Sequence, residues 1–315
     1  MSGGSVAPER PGHVPGPAPG DDGPAPPVGS ADGGAVGPPR RPVRRGRAAR
    51  RRTVVLHVVC VAVTLFMGLP IYLIALAALS SRESLNEFPL PLVPTAPSVE
   101  TMRVFLDTTG VIAGFQNSVE VGLLSLVLSL ALGVPAGYAV ARYAFRGRQP
   151  YQLFLLLTRA LPIVVLSVPL ARVFLATGLY DTTYAVALLH TALALPTTVL
   201  ITSAIFVAVP VEHEEAAMVF GATASKAFAR VVLPQALPGI AAAAIFTFVT
   251  SWNEVLGAAV LTLGRRTLPA QVLSTLADSP LAFRFAGGFA LVVPALVFIA
   301  FMRRYLLNMW GTTIR

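Results

Sequence analysis

The 315-residue chain is 55% hydrophobic and only 12% charged, with a mean hydropathy of +0.70. This balance leaves too little polar surface for a soluble protein and indicates a polytopic membrane protein. The net charge of +9 could suggest nucleic-acid binding, but eight of the 24 Lys and Arg residues lie within residues 40–52, beside the first apolar segment, where the positive-inside rule predicts arginine. We therefore expect no nucleic-acid partner.

The N-terminal stretch, residues 1–52, is rich in Gly, Pro, Ala and Arg and contains almost no large apolar side chains. Such a composition buries too little surface to offset the entropy of ordering the chain. We expect a disordered cytoplasmic tail here and a membrane domain over residues 53–315. The arginine run is interpreted as a topology signal, with contact to a partner or to anionic lipid as the alternative.

Six apolar segments follow the tail, and each is close to the roughly 20 residues that span a hydrocarbon core of about 30 Å. A lipid-exposed backbone must satisfy its hydrogen bonds within the segment, which favours helices. The predicted fold class is therefore an all-α membrane protein with six transmembrane helices. The segments are residues 53–79, 119–140, 152–179, 183–209, 239–263 and 285–307.

Lys and Arg residues near the ends of these segments predict the orientation. With the N-terminus in the cytoplasm, sixteen basic residues lie inside and five lie outside. This asymmetry predicts a multi-pass protein of the cytoplasmic (inner) cell membrane with both termini in the cytoplasm. The external five are Arg82, Arg103, Arg265, Arg266 and Arg284.

Cysteine and histidine are too sparse to predict a metal centre. The single cysteine, Cys60, lies within an apolar segment and has no partner for an intrachain disulfide. The four histidines are scattered without ligand spacing, so no metal site is predicted. His190, in the fourth segment, is expected to be a packed interhelical hydrogen-bond donor.

A polar island at residues 210–234 separates the fourth and fifth apolar segments, and the orientation places it in the cytoplasm. Pro210 can open a helix, and the acidic residues that follow it suit a first helical turn. Ala216 and Ala217 combine high helix propensity with little bulk, so another protein could approach closely. Gly221 suits the left-handed residue that ends a helix, and a second helix is expected to follow it.

This island carries a spaced motif. It consists of Glu215-Ala216-Ala217, then Gly221, then Val231 followed by Leu233-Pro234. The pattern resembles the cytoplasmic Glu-Ala-Ala loop of ABC importer permeases, and every spacing matches. The resemblance implies that the loop is a coupling helix that docks on an ATP-binding subunit. By position, Glu215 would make polar contacts with the ATPase, and Ala216 and Ala217 would permit close docking. Gly221 would set the bend, and Pro234 would mark the return of the chain to the membrane.

The chain itself is not expected to be an enzyme, and no catalytic residue is predicted. A phosphate-cradling loop needs Gly, four residues, Gly-Lys and then Ser or Thr. The single lysine, Lys226, lacks both the preceding glycine and the following hydroxyl residue. No cofactor is expected on this chain, and the resemblance implies that ATP and Mg²⁺ are bound by a partner ATPase.

Short matches along residues 53–315 resemble carbohydrate-importer permeases of the maltose/maltodextrin type. They favour a sugar substrate over an amino acid or a polyamine. The resemblance also implies a homologous second permease, an ATPase dimer and an extracytoplasmic solute-binding protein as partners. The matching stretches are residues 178–182, 194–196, 251–254 and 304–306.

Trp252, Asn253 and Glu254 lie in the fifth segment, with Glu254 about 22 Å along the predicted helix. An ionisable group at such a depth usually faces a protein interior or a water-filled cavity. A ring with hydrogen-bonding neighbours could bind a sugar along the substrate path. Alternatively, Asn253 and Glu254 hydrogen-bond a neighbouring helix or the second permease.

Two other classes of protein remain open from the residues alone. An ion-coupled secondary transporter would need carboxylates or histidines arranged at mid-membrane, and the one deep carboxylate that the sequence offers is Glu254, expected in the outer half of the bilayer. A membrane scaffold or sensor without transport activity would tolerate loss of the charge at Glu215.

Overall fold

The computed structural model describes residues 47–81, 83–85, 92–93, 96–276 and 279–311. Within these ranges the secondary structure is helical, apart from one isolated bridge between Ser80 and Pro97. The chain divides into two units, Met1–His57 and Val58–Arg315. The tail predicted to be disordered lies outside the described residues up to residue 46, whereas residues 47–52 are helical.

Twelve α-helices and one π-helical turn make up the described chain, and several are too short to cross a membrane. The α-helices are α1 Arg47–Ala78, α2 Glu100–Leu106, α3 Val111–Arg142, α4 Arg148–Thr158, α5 Ile163–Thr177, α6 Thr183–Ala208, α7 Val211–Val219, α8 Ala224–Ala227, α9 Leu233–Asn253, α10 Leu256–Leu261, α11 Leu268–Leu276 and α12 Leu281–Gly311. The π-helical turn Phe228–Val232 joins α8 to α9.

The predicted all-helical membrane class is confirmed. Five stretches of the described chain are long and apolar enough to cross a membrane, and a sixth is obtained if α4 and α5 count as one broken span. The five are Arg51–Ala78, Val111–Arg142, Thr183–Ala208, Ala224–Asn253 and Leu281–Arg303.

The third apolar segment was expected to be one helix, but it is broken. Helices α4 and α5 meet at a bend of 93°. Pro162 lies at the break in an extended conformation and caps the start of α5. Proline lacks the N–H that would continue the helix, and it also disfavours helical geometry at the residue before it, Leu161.

The core of the membrane unit is the close pair α3 and α6. Three small residues of α3, Ser125, Gly133 and Gly137, face α6 and let the two backbones approach. Hydroxyl groups then bond across the seam, since Ser125 Oγ donates to the Ala187 carbonyl at 3.2 Å and Thr202 Oγ1 to the Gly133 carbonyl at 3.1 Å.

Asp181 joins the loop before α6 to the loop after α10. Its carboxylate accepts hydrogen bonds from the backbone N–H groups of Leu263, Gly264 and Arg265 at 2.8, 2.9 and 3.0 Å. Its own N–H donates to the Leu261 carbonyl at 3.0 Å. The residue has a φ of 60°, a left-handed conformation that aspartate tolerates better than most residues.

The hydrogen bonds accepted by the Asp181 carboxylate make the thermal stability of the protein dependent on pH. Partial burial opposes ionisation, but the three backbone donors outweigh it and hold the pKa of Asp181 below its usual value. A lowered pKa adds stability that is fully present above the unfolded value, near pH 4, and is lost as the pH falls through the lower folded value. We expect wild type to exceed Asp181→Asn in thermal unfolding midpoint at pH 7, and the gap to close in acid. An equal gap at every pH would contradict this account.

Candidate functional site

The polar island folds as a helix, a left-handed glycine and a second helix. Helix α7 begins directly after Pro210 and ends at Val219, with Phe220 as its C-cap. Gly221 follows with a φ of +86°, and its N–H donates to the Met218 carbonyl at 2.9 Å. Thr223 then caps α8 by accepting from the Lys226 N–H at 3.4 Å. The local chemistry of proline, glycine and threonine produces this shape.

The structure gathers most of the predicted coupling residues on one exposed element. Glu215 and Ala216 are exposed on α7, Ala217 is half-buried, and Gly221 is exposed just after the helix. Pro234 lies in the first turn of α9 and is exposed. It is joined to this surface indirectly, through its neighbour Gln235, whose Oε1 lies 2.9 Å from His213 Nδ1 on α7.

Glu214 of α7 contacts the end of α3, and its burial was not predicted from the sequence. Its side chain is buried, while its neighbours Glu212 and Glu215 are exposed. The Tyr138 hydroxyl donates to the Glu214 carboxylate, and Arg142 Nε lies 3.3 Å from Glu214 Oε2. Both partners belong to the last turns of α3.

An aromatic cluster surrounds the ring of Tyr138. The Tyr138 ring packs on Phe228 of the π-helical turn, with 4.5 Å between ring centroids. It also meets Phe206 of α6 edge-on at 5.5 Å and Tyr143 at 6.1 Å. Helices α3 and α6 and the π-helical turn therefore converge where α7 is attached.

The three residues of the predicted substrate path have different surroundings. Trp252 is buried, its Nε1 donates to the Leu291 carbonyl at 2.9 Å, and its ring stacks on Phe248 at 5.8 Å. Asn253 is exposed, and its Nδ2 donates to the Val249 carbonyl of its own helix at 3.0 Å. The structure therefore does not bring the indole ring and the amide together on one open surface.

Glu254 lies at a break between α9 and α10, although the fifth apolar segment was expected to be continuous. Its backbone is extended, with a ψ of 128°. Its carboxylate accepts from the Gly257 and Ala258 N–H groups at 2.9 and 3.1 Å, and Oε2 lies 3.0 Å from His190 Nε2. His190 Nδ1 lies 2.8 Å from Ser251 Oγ. These contacts fit the interhelical alternative, and His190 has the packed interhelical position that was expected.

An apolar groove of about 460 Å³ runs beside Trp252, between α3, α9 and α12. Its lining consists of apolar and aromatic side chains, including Phe115, Leu123, Val297 and Phe301. Such a surface offers a polar solute almost no hydrogen-bonding groups. Within the part of the chain that the structure describes, no cluster of three or more His, Cys, Asp or Glu side chains could hold a metal ion.

Comparison with known protein families shows to which family the chain belongs. Residues 133–307 match the binding-protein-dependent transport system inner membrane component family, and this match covers more than half of the chain. The chain belongs to that family. This permease is thus a multi-pass membrane subunit of an ABC importer and not an enzyme, because ATP hydrolysis in such importers is performed by a separate ATPase.

Several relatives of this permease are similar over most of their length. The trehalose transport system permease protein SugB of Mycobacterium tuberculosis is 32% identical over 219 residues, which cover 68% of this chain and 80% of that protein. The diacetylchitobiose uptake system permease protein DasC of Streptomyces coelicolor is 30% identical over 197 residues, with coverages of 62% and 71%. The sulfoquinovosyl glycerol transport system permease protein SmoH of Agrobacterium fabrum is 32% identical over 203 residues, with coverages of 64% and 71%.

Solved structures show the same fold at lower identity. A chain of a bacterial ABC transporter that imports the acidic polysaccharide alginate matches with a TM-score of 0.65 at 19% identity, covering 82% of this permease and 98% of that chain. A chain of the MetNI methionine ABC transporter, in an inward-facing conformation, matches with a TM-score of 0.55 at 19% identity, covering 63% and 95%. These likenesses establish the fold of an ABC importer membrane subunit.

Proposed function

We propose that this permease imports a sugar and that α7, followed by Gly221, couples it to a partner ATPase. The exposed surface of α7 carries this proposal. Glu215 supplies a charge, and Ala216 and Ala217 allow close approach. The helix is held by one end of the α3–α6 pair, so a partner that moves α7 acts on membrane helices.

The tip of α7 adds an apolar surface to this charge. Met218, Val219 and Phe220 are 41%, 84% and 91% exposed. Adjacent exposed apolar side chains beside a charged residue are typical of protein–protein interfaces. The partner surface is therefore expected to contain an apolar cleft and a basic group that pairs with Glu215.

The remaining partners follow from the class of importer. A homologous second permease would complete the translocation path, two ATPase subunits would bind ATP and Mg²⁺, and an extracytoplasmic solute-binding protein would deliver the solute. Both termini and α7 would face the cytoplasm. Closure of the ATPase pair on ATP would displace α7 and bias the helices between inward-facing and outward-facing states.

The sugar class rests on the relatives, whose names specify trehalose, diacetylchitobiose and sulfoquinovosyl glycerol. The test is ATP-driven uptake into vesicles that contain the assembled importer, with labelled trehalose and diacetylchitobiose as solutes and methionine and spermidine as non-sugar controls. Uptake of a sugar alone supports the proposal, whereas uptake of methionine or spermidine alone contradicts it. Uptake that follows an ion gradient without ATP would instead support a secondary transporter.

The coupling role is tested by capture of the ATPase. We expect a permease with Glu215→Arg and Gly221→Leu to retain about a tenth or less of the ATPase captured by wild type, because the charge is reversed and a branched residue is strained at positive φ. The measurement is co-purification of the ATPase from detergent-solubilised membranes.

A second double variant, with the same two types of substitution at other positions, is the control for that experiment. Glu100 is an exposed acid in the first turn of α2, and Gly147 is an exposed glycine with a φ of +97° and open space around it. Glu100→Arg with Gly147→Leu therefore repeats the charge reversal and the backbone strain at positions outside the α7 loop. Equal capture by the coupling variant and this control would refute the coupling role.

A further inference from the structure

One buried carboxylate attaches α7 to the membrane helices. Among the nine residues of α7, the buried side chain is that of Glu214. A surface helix ordinarily packs through an apolar stripe. Helix α7 lacks such a stripe. Apart from the exposed contact of His213 with Gln235 of α9, its side-chain attachment to the membrane helices is therefore made by Glu214.

The contacts of Glu214 come from α3, which is distant in sequence. Tyr138 and Arg142 are four residues apart and therefore share one face of α3. Tyr138 donates its hydroxyl to Glu214, and Arg142 Nε forms the 3.3 Å ion pair. Arg142 Nη2 also donates to the Val209 carbonyl at 2.9 Å, at the end of α6. We call Tyr138, Arg142 and Glu214 the α3–α7 anchor.

The ion pair of the anchor is almost fully removed from solvent, with side-chain exposures of 11% for Arg142 and 8% for Glu214. A buried ion pair is often no more stabilising than apolar groups of similar volume, because both charges lose hydration. Where such a pair is retained, fixing the relative position of two elements is its best-supported role. The anchor is therefore better explained by geometry than by stability.

We propose that Arg142 and Glu214 are positioning residues that fix α7 to α3, so that displacement of α7 by the ATPase moves α3. This inference rests on the proposed coupling function. The chain itself joins α7 to α6, through Pro210, and to α9, through α8 and the π-helical turn. The anchor adds a connection to α3, which packs on α6 through Gly133 and Gly137. Movement of α7 then reaches three membrane helices.

The attachment itself is tested on the permease alone. Glu214→Ala removes the anchor carboxylate, and Glu212→Ala removes an exposed carboxylate from the same helical turn. We expect hydrogen–deuterium exchange of the α7 backbone amides to become about tenfold faster in Glu214→Ala and to stay unchanged in Glu212→Ala. Equal exchange in the two variants would overturn the anchor.

The transmission role is tested on the assembled importer with its ATPases. Replacing the single cysteine by Cys60→Ser allows a reporter cysteine at exposed Gln116, about 39 Å along α3 from Arg142. The rate at which N-ethylmaleimide labels the reporter is measured with and without ATP and vanadate. We expect the nucleotide-dependent change in this rate to be lost in Glu214→Gln and kept in Glu212→Gln, with the ATPase captured in both.

The outcomes separate the two proposals. An ATPase captured by Glu214→Gln together with an unchanged labelling response overturns the transmission role and leaves the coupling function standing. If wild type captures no ATPase, the coupling function fails and the transmission role fails with it. The exchange measurement decides the attachment of α7 in either case.

Discussion

Replacing Gly137 with alanine is expected to destabilise the permease by about 2–3 kcal/mol, through overpacking of the seam between α3 and α6. A Cβ atom on Gly137 would overlap Thr202 Oγ1 and lie 2.9 Å from the backbone nitrogen of Ser203. Real Cβ atoms essentially never approach another atom so closely, and the backbone of Ser203 cannot turn aside as a long side chain would. The helices must separate, which weakens the hydrogen bond from Thr202 to the Gly133 carbonyl.

Gly68 provides the matched control for this substitution. It lies within α1, and a Cβ atom there meets nothing within 4 Å. Alanine at this position is expected to be neutral or to stabilise by about 0.5–1 kcal/mol, because it restricts the unfolded chain. Both variants are compared by thermal unfolding of the purified permease in detergent. A Gly137→Ala variant as stable as Gly68→Ala would mean that α3 and α6 approach less closely than described.

The close approach of α3 and α6 was within reach of the sequence but was not predicted. Gly133 and Gly137 form a small-xxx-small pair within the second apolar segment, a pattern typical of tightly packed membrane helices. The pattern indicates that one face of this helix packs closely against another helix, but it does not show which helix that is. The identification of α6 required the three-dimensional contacts.

The class of protein and the shape of the α7 loop could be predicted because both depend on local chemistry. Length and hydropathy select helices that span a membrane, and Pro210 and Gly221 begin and end a helix through their own backbone geometry. The helix breaks at Pro162 and Glu254 were not predicted, because the segments were identified from their average hydropathy. Hydropathy averaged over about 20 residues changes little at one proline or one carboxylate.

The anchor could not be predicted because the acids of α7 look alike in the sequence. Glu212, Glu214 and Glu215 all suit the first turns of a helix, where negative charge is favoured. Which of them is buried depends on the position of Arg142, and that position is set by the packing of α3 on α6. The positive-inside rule alone already predicts an arginine at the end of an apolar segment. The presence of Arg142 in the sequence therefore did not indicate that it pairs with Glu214.

Glu254 offers the sharpest test between the two interpretations of residues 252–254 in the fifth segment. Its carboxylate satisfies two N–H groups of α10 and pairs with buried His190. We expect Glu254→Ala to lower the free energy of unfolding by about 3 kcal/mol, because the histidine and both N–H groups lose their partner. Chemical denaturation of the purified permease measures the change.

The adjacent Asn253 separates stability from solute contact. It is exposed and bonds to its own helix, so Asn253→Ala is expected to change stability by no more than about 0.5 kcal/mol. If the two residues bind solute, sugar uptake per folded importer should fall in both variants, because the solute loses hydrogen bonds in each case. If Glu254 instead stabilises the junction between α9 and α10, the Glu254→Ala variant should be unstable, and sugar uptake by Asn253→Ala should stay at the wild-type rate. The buried contacts of Glu254 favour the second result, since a carboxylate already bound by three donors has little capacity left for a sugar hydroxyl.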